Sequence, residues 1–290
     1  MSSHSPEHYK DHYFVPDASA YPIVSSIGLF LIALGGASFL NNYAFGSKMM
    51  MVGGILLSTL LFIWFRKVIS ESPVYNMDVD KSFRMGMSWF IFSEVMFFAA
   101  FFGALYYLRN LSIPWLADTE LLWPGFEATW PSSGPSGAEL IGGGGAPNAT
   151  VDPWHLPLYN TLLLLTSSVT LTIAHHALRA GKRAQLIIWL AITVLLGVWF
   201  LYLQAAEYAE AYQHLGLTLG TGVYGSTFFM LTGFHGFHVT LGAFILFVVL
   251  LRCIKGHFTA DKHFAFEAGA WYWHFVDVVW VGLFIFVYIL

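Results

Sequence analysis

Charge is scarce in this 290-residue sequence. Asp, Glu, Lys and Arg make up 10% of it, against 57% hydrophobic residues and a mean hydropathy of +0.64. Soluble domains carry roughly 25% charged residues, so the composition excludes a water-soluble fold of any size and assigns much of the surface to lipid. Cysteine is nearly absent: Cys253 stands alone, and no intrachain disulfide framework can form. The net charge is −4, which argues against nucleic acid or another polyanion as partner. No lysine lies inside an apolar run, which excludes a retinal Schiff base. An apolar leader is missing as well. The first 22 residues carry Glu7, Lys10, Asp11, Asp17 and three histidines, so no signal peptide is expected. Phosphate-binding glycine motifs and Cys/His zinc spacings do not occur. The run Gly142–Gly145 has no strand before it and no helix start after it, and reads as coil.

What is present is a set of long apolar runs. A spanning helix needs about 20 mostly apolar residues. Seven such runs occur: Ile23–Leu40, Met49–Phe65, Gly86–Leu108, Leu158–Leu178, Leu186–Ala206, Thr227–Leu251 and Ala268–Leu290. The fold class is therefore an all-α membrane protein of seven transmembrane helices. Gly35-Gly36 and Gly53-Gly54 lie inside the first two, where small residues let helices approach closely. The one long connection, Arg109–Pro157, is rich in Pro and Gly and predicts surface coil. The chain divides into a polar tail (1–22), a two-helix unit (23–72) and a five-helix bundle (73–290) that carries the long loop 109–157.

Lys and Arg set the orientation. Lys10, Arg66, Lys67, Lys81, Arg84, Arg179, Lys182, Arg183, Arg252, Lys255 and Lys262 all fall on one side of a seven-span topology. Only Lys48 and Arg109 fall on the other. The positive-inside rule places the N-terminus inside and the C-terminus outside. A seven-helix receptor of the usual kind has the opposite orientation.

Ionisable residues at membrane depth are costly and mark function by default. Glu94 lies eight residues into the third run, about 12 Å from its inner edge. Its helix-face neighbours Phe90, Ile91, Phe97 and Phe98 cannot pair with it. The carboxyl is expected to hold its proton unless another helix supplies a partner. In the seventh run Glu267, Trp271, His274 and Asp277 recur at spacings of four, three and three and share one stripe. His274 and Asp277 can pair on adjacent turns. The sixth run carries His235 and His238, and the fourth carries the adjacent pair His175-His176 at its inner end. Haem ligation by histidines of two helices is disfavoured by depth. His175 and His176 lie near the inner face, His235 and His238 in the outer half, and His274 has no partner at its level. Adjacent residues point about 100° apart, so His175 and His176 do not readily share a metal. Hydrogen bonding between helices and snorkelling at the interface are the expected roles, and no metal is assigned.

These segments resemble the third subunit of haem–copper cytochrome c oxidases. The strings are FAFEAGAWYWHFVDVVWV (264–281), VYGSTFFMLTGFHGFH (223–238), NTLLLLTSSVTLTIAHHA (160–177), LQAAEY (203–208), SEVMFF (93–98) and FRKVISES (65–72). They cover all but the tail, the first helix and the long loop, and they fall on the predicted helices in the family's order. The resemblance implies a non-catalytic subunit with no redox centre of its own. Haem A and copper would reside in the partner subunits I and II, with cytochrome c as electron donor to the complex. The third subunit would support proton uptake and protect the oxygen-reducing centre of subunit I from inactivation. The resemblance also implies that helices 1–2 splay from helices 3–7, with phospholipid in the cleft. Glu94 matches the family's intramembrane glutamate. Trp64, Arg66, Lys67, Glu71, Arg252, His257 and His263 become candidates for lipid headgroups. His175, His176, Glu207, His235, His238, Glu267, Trp271, His274 and Asp277 become an interhelical polar network. Two features depart from the family: Ser70 stands where a second arginine is expected, and Ser19-Ala20-Tyr21-Pro22 replaces Ser-Pro-Trp-Pro. The length of the 109–157 loop favours a bacterial cytoplasmic membrane over a mitochondrial one.

Three other functions compete. An independent transporter or proton channel would use Glu94 and the seventh-run stripe, but transporters usually show broken helices or a repeat, and neither is seen. A haem-binding electron carrier would show its own optical spectrum. The quinol-oxidising branch of the superfamily generally has a five-helix third subunit, and the two additional N-terminal helices favour the cytochrome c branch.

Overall fold

The computed structural model describes residues 13–135 and 149–290. Glu7, Lys10, Asp11 and the Gly142–Gly145 run lie outside the described residues. Among the described residues seven helices are long and apolar enough to cross a membrane. They are α1 (Tyr21–Leu40), α2 (Gly46–Glu71), α3 (Met77–Tyr107), α4 (Leu156–Arg179), α5 (Arg183–Gln213), α6 (Gly222–Lys255) and α7 (Phe264–Leu283).

Several helices run well past the apolar stretches. α3 begins nine residues before Gly86, and α5 continues seven residues beyond Ala206. Polar residues there suit a helix that has left the hydrocarbon. Asn76 Oδ1 accepts the Val79 N–H at 3.1 Å and caps α3. Asp78 and Asp80 occupy its first turn, where the helix dipole favours negative charge. The start of the long loop is also not coil. A π-helical turn (Leu108–Ser112) and a short helix (Ile113–Ala117) prolong α3. The apolar residues Leu111, Ile113, Trp115 and Leu116 carry this continuation, with Ile113 buried. α6 ends at Gly256, whose φ of +76° closes the helix in the left-handed conformation open to glycine.

The chain forms two compact units, divided between Met85 and Gly86. In the first, α1 and α2 pack against each other. A Cβ on Gly35 would meet the Met50 nitrogen at 2.6 Å, and one on Gly53 would meet the Gly28 oxygen at 2.8 Å. Gly36 and Gly54 have nothing within 4 Å of the same position. One glycine of each pair therefore brings the backbones together and the other faces outward. The expected result is that Gly35→Val costs about 1–3 kcal/mol, as for overpacked contacts, while Gly36→Ala is close to neutral. Thermal unfolding of the detergent-solubilised chain would measure both. At the other end of this pair Tyr21 stacks on Trp64 at 5.6 Å. Burial and the adjacent Glu71 carboxylate push the Tyr75 phenol up to about 12.

The second unit is built around α7. Trp273 is fully buried and fits against two glycines, Gly197 of α5 and Gly242 of α6. Its indole N–H donates to Ser167 Oγ of α4 at 2.8 Å. Two turns further on Trp280 packs edge-on to Phe200 at 4.8 Å and donates to Thr161 Oγ1 at 2.9 Å. Each tryptophan thus joins α7 to α4 and α5 with one polar bond and a large apolar surface. Hydrogen bonds and close packing, rather than water exclusion, hold helices together in lipid. Phe244, Leu195, Val169 and Val278 point outward from the same helices, as lipid-facing side chains do.

Candidate functional site

Glu94 has a partner on another helix. Its Oε2 lies 2.8 Å from Nε2 of His238 on α6. The other ring nitrogen of His238 lies 2.6 Å from the Phe234 carbonyl. A carbonyl only accepts, so Nδ1 carries a hydrogen and donates. Either the Glu94 carboxyl then donates its proton to a bare Nε2, or an imidazolium donates to a carboxylate. In both cases one proton lies on the Glu94–His238 axis. Phe98 meets the imidazole edge-on at 4.9 Å, and Tyr272 stacks near it at 6.4 Å. Aromatic rings line the imidazole side of the pair. His238 lies close to the midpoint of α6, which runs from Gly222 to Lys255.

The α7 stripe divides between two sites. His274 and Asp277 both meet Ser168 of α4. Its hydroxyl donates to Asp277 Oδ2 at 2.8 Å and lies 3.1 Å from His274 Nδ1. His274 therefore has a hydrogen-bonding partner on another helix, Ser168 of α4. Trp271 remains half-buried, edge-on to Phe264. Glu267 instead joins His263 and His175, with its Oε1 at 3.1 Å and 3.6 Å from their Nε2 atoms. His176, adjacent to His175, is exposed on another face. His235 is fully buried, and its Nε2 donates to the Val276 carbonyl at 3.1 Å. Glu207 is buried too, and its Oε1 accepts from Tyr288 at 2.6 Å and from Gln204 at 3.2 Å.

The headgroup candidates fall in both units. In the first, Lys67 lies over the Tyr21 ring at 5.7 Å and 3.7 Å from Glu71, on the same turns as Trp64 and Arg66. In the second, the Arg252 guanidinium covers Phe258 at 4.5 Å, and among the described residues its buried Nε has no hydrogen-bond partner. His257 is exposed beside it. His263, by contrast, is buried in the cluster with Glu267. Sequence reasoning missed Ser167, Ser168, Thr161, Gln204 and Tyr288. The signal available was the recurrence of Thr161, Ser167, Ser168 and Thr170 along an apolar helix, since small polar residues in a span face other helices.

Helices crossing a membrane, an interior closed by hydrogen bonds between spans, and a carboxyl–imidazole pair at mid-length define a polytopic membrane protein. The family model for cytochrome c oxidase subunit III matches residues 11–290. The chain is 40% identical over 282 residues to cytochrome c oxidase subunit 3 of Prototheca wickerhamii, covering 96% of this chain and 97% of that one. It is 42% identical over 284 residues to the Danio rerio protein of the same name, covering 97% and 98%. The chain belongs to the cytochrome c oxidase subunit III family. It is thus a subunit of the oxidase complex with subunits I and II as its partners, and it lacks redox centres of its own.

Proposed function

We propose that this chain supports proton uptake by subunit I, protects its oxygen-reducing centre during turnover and holds phospholipid for the complex. The observation that carries this reading is the Glu94–His238 pair, a proton-holding couple at the middle of a membrane helix. Cytochrome c is the electron donor to the assembly. The N-terminus lies inside, on the side of the eleven clustered basic residues, and the long loop favours a bacterial cytoplasmic membrane. Removing the chain from the purified oxidase tests the reading. Haem and copper content should stay unchanged, proton uptake should slow, and the enzyme should inactivate within fewer turnovers. Loss of haem on removal, or an unchanged inactivation time course, would refute it.

The lipid role has its own test. Basic residues near an anionic membrane surface contribute about 1 kcal/mol each. Arg252→Ala should therefore lower co-purifying anionic phospholipid roughly fivefold at that position, as read by mass spectrometry of lipid extracted from the intact complex. His176→Ala, at the same end but without the lipid assignment drawn from the family, should leave it unchanged.

A further inference from the structure

The cluster where α4 ends and α7 begins has the geometry of a cation site. His175 Nε2, His263 Nε2 and Glu267 Oε1 lie 3.1, 3.4 and 3.6 Å from one another. A tetrahedral zinc ion bound at about 2.0–2.2 Å sets its ligand atoms about 3.4 Å apart. The three atoms already stand at that spacing, as three corners of such a tetrahedron.

The hydrogen positions point the same way. His263 Nδ1 lies 3.1 Å from the Thr259 carbonyl. The carbonyl can only accept, so Nδ1 carries a hydrogen and Nε2 is the ring atom turned toward the site. Nε2 faces the Glu267 carboxylate and a second imidazole nitrogen, a junction that a shared proton or a cation would hold together. A carbonyl that fixes the far nitrogen of an imidazole is also the usual second support of a metal-bound histidine. His263 and Glu267 are four residues apart, on the same face at the start of α7. His175 comes across from α4, and its ring lies 5.4 Å from that of His263. About a third of the His175 side chain is exposed, which gives an ion a route in and leaves a fourth position for water.

We propose that His175, His263 and Glu267 form a binding site for a divalent transition-metal ion of the zinc class, at the end of the helices that carries Arg179, Lys182, Arg183 and Lys255. The sequence argument against a metal considered His175 with His176, which diverge. The partner of His175 is instead 88 residues further along the chain. The ion is an exchangeable ligand and takes no part in electron transfer. The proposal stands apart from the supporting role described above, and failure of either leaves the other intact.

The test uses the assembled, chelator-treated oxidase and zinc chloride. Equilibrium dialysis with elemental analysis gives zinc bound per haem. The wild-type complex should hold one zinc that His175→Asn, His263→Asn and Glu267→Gln each weaken by at least about tenfold, the lower range seen for lost support of metal ligands. His176→Asn should bind as wild type. Haem content and retention of this chain serve as the assembly check. Where one variant fails to assemble, the other two decide. Zinc-edge absorption of the wild-type complex should show two imidazoles and one carboxylate oxygen. Equal zinc affinity in the wild type and the assembled ligand variants, or a zinc site without two imidazoles, would overturn the proposal.

Discussion

Replacing Trp273 by alanine is expected to cost roughly 3–5 kcal/mol, the range for deleting a large buried aromatic side chain. The indole has no exposed surface and touches three helices besides its own. It occupies the hollow above Gly197 and Gly242 and donates to Ser167 Oγ. Alanine would leave a cavity between α5 and α6 and remove the only donor bond described to that hydroxyl from another helix. Collapse cannot fill the space, because the two glycines contribute no side chain. Thermal unfolding of the detergent-solubilised chain measures the loss. Trp271→Ala is the control: that ring is half-buried at the side of α7 and should cost far less. The converse substitution should also be damaging. A Cβ at residue 197 would lie 2.5 Å from Trp273 Cη2, so Gly197→Val forces the ring out at about 1–3 kcal/mol. If Trp273→Ala and Trp271→Ala prove equally mild, Trp273 does not tie the bundle together as described.

The seven spans were legible because lipid imposes a simple demand. Every backbone polar group must be paired within its own segment, so apolar length alone locates the helices. Their ends were less legible. Gly46–Lys48 and Arg66–Glu71 are polar enough to end an apolar run, yet the helix continues through both. Which glycine of a pair lies at the interface was also hidden, since Gly35 and Gly36 are equally small and only the packing angle separates them. The candidate residues were nearly all visible as ionisable groups in apolar helices, but their partners were not. Periodicity fixes which residues share a face of one helix and says nothing about the helix opposite. Glu94 and His238 are 144 residues apart, and only the packing of α3 on α6 joins them. The same reason hid Ser168 from His274 and His263 from His175.

Glu94→Gln and His238→Leu are expected to differ sharply, although both remove one member of the same pair. The glutamine amide can still donate to His238 Nε2, because the Phe234 carbonyl holds the ring hydrogen on Nδ1. The hydrogen bond survives, and stability should change by no more than about 0.5 kcal/mol. Leucine at 238 removes the acceptor and leaves the Glu94 carboxyl among Phe97, Phe98 and Phe90 without its interhelical partner. An unsatisfied buried polar group costs about 1–3 kcal/mol. Because Glu94 keeps about a fifth of its side-chain surface, the cost should fall in the lower part of that range. The double variant Glu94→Leu with His238→Leu should then be less damaging than the two single leucine variants combined. Residues in one hydrogen-bonded pair typically couple by 0.5–3 kcal/mol. Thermal unfolding of the four variants measures that coupling. Infrared difference spectra of Glu94→Gln against wild type identify the carboxyl band that belongs to the shared proton. Additive leucine substitutions, or a Glu94→Gln variant as unstable as His238→Leu, would show that no hydrogen bond joins α3 to α6 at this level.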